Sequence, residues 1–139
     1  MEKVARYIYA GAAWLFVIGV VVQVFLAGMV VVAARMGWDA HAGLGHSLAG
    51  PLLFMLISMY LGRLPGPMKR LTWLLFGAYV LQADVLIFLR AAAPVAAAFH
   101  PVMALVDFAL GVMLARAALP LLRPVEARAA LRRRVEETV

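Results

Sequence analysis

The sequence predicts an all-α integral membrane protein: an up-down four-helix bundle made of two pseudo-twofold-related helical hairpins, with a short cytoplasmic C-terminal helix. Three observations carry this. Apolar residues make up 66% of the 139 positions and charged residues only 14%, against about a quarter in soluble domains. The apolar residues gather in four stretches, approximately 7–34, 44–61, 71–89 and 99–122, and a bilayer core of about 30 Å needs roughly 20 such residues in a helix. The basic residues concentrate on one side of that topology.

Lys3 and Arg6 open the chain, and the first apolar stretch follows at once. It exceeds the ~7–15 residues of a cleaved signal and predicts a retained span. Met36-Gly37-Trp38-Asp39 breaks this helix, and Asp39 is placed to cap the second. Arg63-Leu64-Pro65-Gly66-Pro67 predicts a rigid turn before the third span, with Lys69 and Arg70 just beyond. Residues 91–98 are small and hold Pro94, which predicts a short loop before the fourth span. Residues 1–122 form one domain by this reading, and 123–139 a basic tail of Arg-rich helical turns opened by Pro124.

The net charge of +6 invites a nucleic-acid reading that its distribution opposes. Only Arg35 and Arg90 fall in the first and third connections, while the termini and the second connection hold the rest. This positive-inside asymmetry predicts a bacterial cytoplasmic membrane protein with both termini cytoplasmic and loops 35–40 and 90–98 outside. The tail is then a lipid-contacting anchor, with no nucleic-acid partner. The chain has no cysteine, which removes disulfides, thiolate-bound zinc, iron–sulfur clusters and covalent c-type haem.

An internal repeat organises the rest. When Trp14-Leu15 is laid over Trp73-Leu74 without gaps, Gln23 falls on Gln82, Ala33-Ala34 on Ala92-Ala93, and His41 on His100. Gln23 and Gln82 are the only glutamines in the chain, so the register rests on rare residue types as well as on hydropathy. Both hairpins start and end inside, which predicts a pseudo-twofold axis along the membrane normal.

His41 and His100 would then face one another near the outer surface. Neutral imidazole is a common metal ligand and suits haem iron. Gly45 and Ala104, four residues on, share the helix faces of these histidines and leave room for a flat porphyrin. Arg35 and Arg90 are placed to pair with propionates. Two histidines are too few for a closed zinc site, which wants four ligands. His46 lies about 140° from His41 on a regular helix and is read as accessory or outward-facing. A histidine near a helix start also suits a membrane interface with no ligand at all. Gln23, Gln82, Asp84 and Asp107 are polar residues inside spans and should face protein or water. For the glutamines interhelical hydrogen bonding is the preferred role. Asp107 is open to a proton-relay, substrate-path or hydrogen-bonding role, and Asp84 to a contact with a partner chain.

The segments Val22-Gln23-Val24-Phe25-Leu26-Ala27-Gly28, Asp39-Ala40-His41 with Leu44-Gly45, and His100-Pro101-Val102 with Ala104-Leu105 resemble a family of small uncharacterised four-span bacterial membrane proteins. That resemblance implies no activity. More distantly, the chain resembles one four-helix half of haem A synthase. His41 with Gly45, and Leu81-Gln82 with His100, match the motif residues there, and the resemblance implies His41 and His100 as axial haem ligands. Haem A synthase has eight spans, and its acid near the first histidine would align around Trp38, one residue from Asp39. Its oxygenase activity is therefore not carried over.

The sequence thus predicts a protein that binds haem b through two histidines near the outer face and acts in electron transfer or haem handling. An accessory or assembly subunit of a larger membrane complex, or a homo-oligomer, is the alternative. A small transporter ranks below both. No nucleophile–base arrangement marks the chain as an enzyme.

Overall fold

The computed structural model describes residues 1–123, and the regular secondary structure among them is all helical. The expected C-terminal helix and most of the basic tail lie outside the described residues. Helix α1 spans Glu2–Val31, α2 Asp39–Ser47, α3 Ala49–Leu61 and α4 Gly66–Val80; a π-helical segment covers Leu81–Val85, and α5 Leu86–Phe88, α6 Pro94–Ala97 and α7 His100–Leu122 follow. Joined across their short breaks, these make four helices long and apolar enough to cross a membrane: Glu2–Val31, Asp39–Leu61, Gly66–Phe88 and Pro94–Leu122.

The breaks have local causes. Pro51 has no N–H to give the carbonyl of Ser47, and the helix divides at Leu48 between α2 and α3. Pro65 caps α4 and Pro67 sits in its first turn, where the missing N–H costs nothing. Ala34 (φ 50°) and Arg63 (φ 48°) take left-handed conformations that reverse the chain after the first and second long helices. Asp39 begins α2 as its first residue, with Trp38 at the N-cap position and no side-chain cap bond. The expected Asp39 cap is therefore displaced by one residue.

Small residues set the packing. On α1 the buried positions Ala5, Tyr9, Ala12, Ala13, Phe16 and Val20 recur at helical spacing. This face packs against both α3 and α7, while α4 packs mainly on α7 and meets α3 less extensively. Gly111 lets α7 approach closely, because a Cβ there would stand 3.0 Å from Val17 and 3.3 Å from Phe16. Leu52, Met55, Met59, Leu75 and Leu114 fill the centre. Tyr9 and Thr72 cross it by a 2.6 Å hydrogen bond. Thr72 gives its own hydroxyl hydrogen to Met68 O at 2.8 Å, so Tyr9 is the donor.

The outward faces are apolar too. Leu15, Ile18, Phe25, Phe54, Ile57, Leu74 and Leu105 are all exposed. A bundle helix in water carries charge on that side; here the side chains suit hydrocarbon. Charge collects at the end holding the 62–66 turn, where Arg6 bonds Gly62 O at 2.9 Å and pairs with Glu2, and Lys69 lies 5.1 Å above the Tyr60 ring.

Candidate functional site

The opposite end of the bundle holds two histidines, each tied to the backbone of the preceding long helix. His41 lies in the first turn of α2, and its Nδ1 is 3.1 Å from the carbonyl oxygen of Gln23, 18 residues upstream. His100 begins α7, and its Nδ1 is 2.9 Å from the carbonyl oxygen of Gln82, again 18 residues upstream. A carbonyl only accepts, so each Nδ1 carries the hydrogen and each neutral ring presents a bare Nε2 lone pair.

The π-helical segment makes one of these acceptors available. In a regular α-helix the Leu86 N–H would bond Gln82 O. Here it bonds Leu81 O instead, and Gln82 O faces His100. Wide turns of this kind often mark functional sites.

The two rings lie against each other, with centres 6.2 Å apart and planes inclined by 62°. Trp38 meets the His41 ring edge-on at 5.4 Å. Both imidazoles are half-buried, neither sealed in the core nor turned to the outside.

The other expected site residues separate into groups. Gly45 is occupied by a neighbour: a Cβ there would stand 2.6 Å from Gln23 Nε2. Gln23 uses this space to donate to the carbonyl of His41 at 2.8 Å. Tyr79 brings a third helix to the same turn, donating to Gly45 O at 2.8 Å. Ala104 is half-buried one turn beyond His100. Arg35 and Arg90 are exposed on the two adjoining connections. Asp107 is 1% exposed. Its Oδ1, with Gln23 Oε1 and Gln82 Oε1, is a buried oxygen with no hydrogen-bond partner among the described residues. His46 and Asp84 are on the outside, with His46 Nε2 4.0 Å from an Asp84 carboxylate oxygen.

Trp38, Tyr79 and the two glutamine carbonyls were not foreseen as parts of the site. A legible signal existed for the carbonyls: the equal spacing from each glutamine to its histidine. Neither Trp38 nor Tyr79 repeats in the other hairpin, so the repeat could not mark them.

Among the described residues no group of three or more His, Cys, Asp or Glu side chains converges on one point. The histidine pair is therefore not a closed protein cage for a bare ion, which wants four donors.

A family model described as a family of unknown function, DUF6220, matches residues 23–93. No curated protein and no solved structure matches the chain. The matched segment begins at Gln23 and contains His41, Gly45, His46, Gln82 and Asp84, whereas His100 and Asp107 lie beyond it. With just over half its length matched, this chain belongs to that family of unknown function, DUF6220.

Proposed function

We propose that the protein is an integral membrane haem b protein, with His41 and His100 as the two axial ligands, acting in electron transfer or haem handling near the outer face. The observation that carries this reading is the ring separation of 6.2 Å between two histidines whose Nδ1 atoms are already committed to carbonyls. A metal–imidazole bond is about 2.0 Å. A five-membered ring with bonds of about 1.33 Å has a radius of about 1.1 Å. Two imidazoles in line on one ion therefore place their ring centres about 6.2 Å apart.

The donor chemistry supports the same group. An Nδ1–H bonded to a carbonyl fixes the ring's orientation and makes Nε2 a better ligand. Two protein donors complete an iron that already holds four porphyrin nitrogens. Bound there, haem would supply a one-electron iron couple whose potential depends on its axial ligands and burial. The chain's own residues orient the ligands and limit water: Gln23 braces the His41 turn, Trp38 flanks its ring, and Arg35 and Arg90 are the propionate partners. The matched 18-residue spacings of the anchors support two hairpins related by a pseudo-twofold axis. The basic-residue asymmetry supports cytoplasmic termini and an outer position for the histidines. The motif resemblance to half of haem A synthase points to the same two ligands.

Titration of the detergent-purified full chain with hemin tests the proposal. A Soret band saturating at one haem per chain, with a reduced-minus-oxidised spectrum of the b type, is expected. Failure to develop a saturable Soret band refutes it.

A further inference from the structure

The basic end of the bundle, opposite the histidine pair, carries a second feature. The turn after α3 is held in place. Leu64 is 3% exposed, Arg6 Nε donates to Gly62 O at 2.9 Å, and a Cβ on Gly62 would stand 2.9 Å from Ser58 O. Arg63, Lys69 and Arg70 leave this fixed turn and the start of α4. None of the three has a carboxylate partner among the described residues. Glu2, the acid at this end, is already paired with Arg6.

Two donors meet on the outer side of the α3–α4 hairpin. Lys69 Nζ lies 5.1 Å above the Tyr60 ring, a cation–π contact that leaves ammonium hydrogens for an acceptor. Trp73 Nε1 donates to the Tyr60 hydroxyl oxygen at 3.2 Å, so the hydroxyl keeps its own hydrogen to give. Lys69 and Trp73 are four residues apart and share a face of α4. On α3, Leu53, Ile57 and Tyr60 recur at helical spacing, and all three are exposed, as is Trp73. A positive donor and a neutral donor thus stand at the head of an uncovered apolar strip. An anionic head carrying hydrocarbon tails matches both parts. A free phosphate would satisfy only the donors, and a zwitterionic head brings an ammonium against Lys69 and Arg70.

We propose that the Tyr60–Lys69–Trp73 cluster is a binding site for an anionic phospholipid. Its phosphate accepts from Lys69 Nζ and Tyr60 Oη, Arg63 and Arg70 add positive charge, and an acyl chain lies along Trp73 and Ile57. Basic groups beside a span attract anionic headgroups, and tryptophan and tyrosine suit the same depth. The proposal rests on the membrane-spanning part of the reading above and is independent of haem.

The test places the full chain with Trp14→Phe and Trp38→Phe, leaving Trp73 as the sole fluorophore, in nanodiscs of mixed phosphatidylcholine and phosphatidylglycerol. One lipid or the other is brominated on its acyl chains. Quenching should show phosphatidylglycerol preferred over phosphatidylcholine beside Trp73 by about fivefold. Lys69→Gln and Tyr60→Phe should each lower that preference with the helical circular dichroism unchanged. Arg116→Gln, an equal loss of charge on α7, should keep it. Equal quenching by the two lipids overturns the proposal. So does a preference unchanged in both cluster variants, or one lowered as much by Arg116→Gln, which marks diffuse attraction to the net charge. A chain that does not enter nanodiscs refutes the membrane reading and the lipid site with it. Equal quenching in a chain that still takes up hemin removes the lipid site alone.

Discussion

His100 donates through Nδ1 to the backbone carbonyl of Gln82 at 2.9 Å, beside a π-helical turn that sends the Leu86 N–H to Leu81 instead. The relationship links a backbone irregularity to the direction of a side-chain lone pair. It also makes the irregularity testable.

Deletion of Ala83 should return residues 81–85 to α-helical geometry, since a π turn carries one residue more than the regular ladder needs. Loss of one residue turns the helix on one side of the deletion by about 100° relative to the other, which would carry Gln82 O away from His100. Helix content by circular dichroism should hold, while hemin affinity falls about 10- to 100-fold, the usual cost of losing a partner that orients a metal-bound histidine. Undiminished affinity would detach the π turn from the site.

Gly45→Ala addresses the other hairpin. The new Cβ would press on Gln23 Nε2, the mobile end of a side chain, so the helix need not move. Gln23 would instead give up its bond to His41 O. A loss of about 1 kcal/mol in stability is expected, with a broadened or weakened Soret band. Gln23→Ala combined with Gly45→Ala should cost little more than Gln23→Ala alone, because both remove the same bond.

Asp107 carries a buried oxygen without a partner among the described residues. Replacing such a group by an apolar one is often neutral or stabilising. Asp107→Val should therefore leave the detergent melting temperature unchanged or raise it. A clear fall would mean that the carboxyl is satisfied by a group from another chain, and copurification of that partner would favour the accessory-subunit alternative.

In the bundle core, Tyr9→Phe removes the donor to Thr72 and should cost about 1 kcal/mol. Thr72→Val orphans the tyrosine hydroxyl and should cost more. The double substitution should be less damaging than the sum, as expected for two groups that pair. Equilibrium unfolding in mixed micelles measures all three.

Much of the architecture was legible because long apolar helices leave a coarse signal. The four apolar runs, the 63–67 turn and the break before α2 depend on composition and on proline and glycine, which act locally. The pairing of His41 with His100 was also readable, from two rare residue types recurring in register. Local exceptions were not. Nothing in Leu81–Val85 announces a π turn, because its residues are equally at home in a regular helix. Gly45 was expected to clear space for a cofactor, and the space instead admits Gln23, which periodicity alone could not assign to it. The His46–Asp84 approach was hidden for a related reason: it joins two helices through a segment whose phase shifts at the π turn.

The account stands on two imidazoles sharing one iron, and low-temperature electron paramagnetic resonance of the hemin-loaded chain tests this most directly. Wild-type protein should give a low-spin ferric signal of the strongly anisotropic kind that steeply inclined axial rings produce, in keeping with the 62° between them. His41→Ala and His100→Ala should each convert it to a high-spin signal. A low-spin signal that survives in both single variants, or a wild-type chain with no ferric haem signal at all, would contradict it.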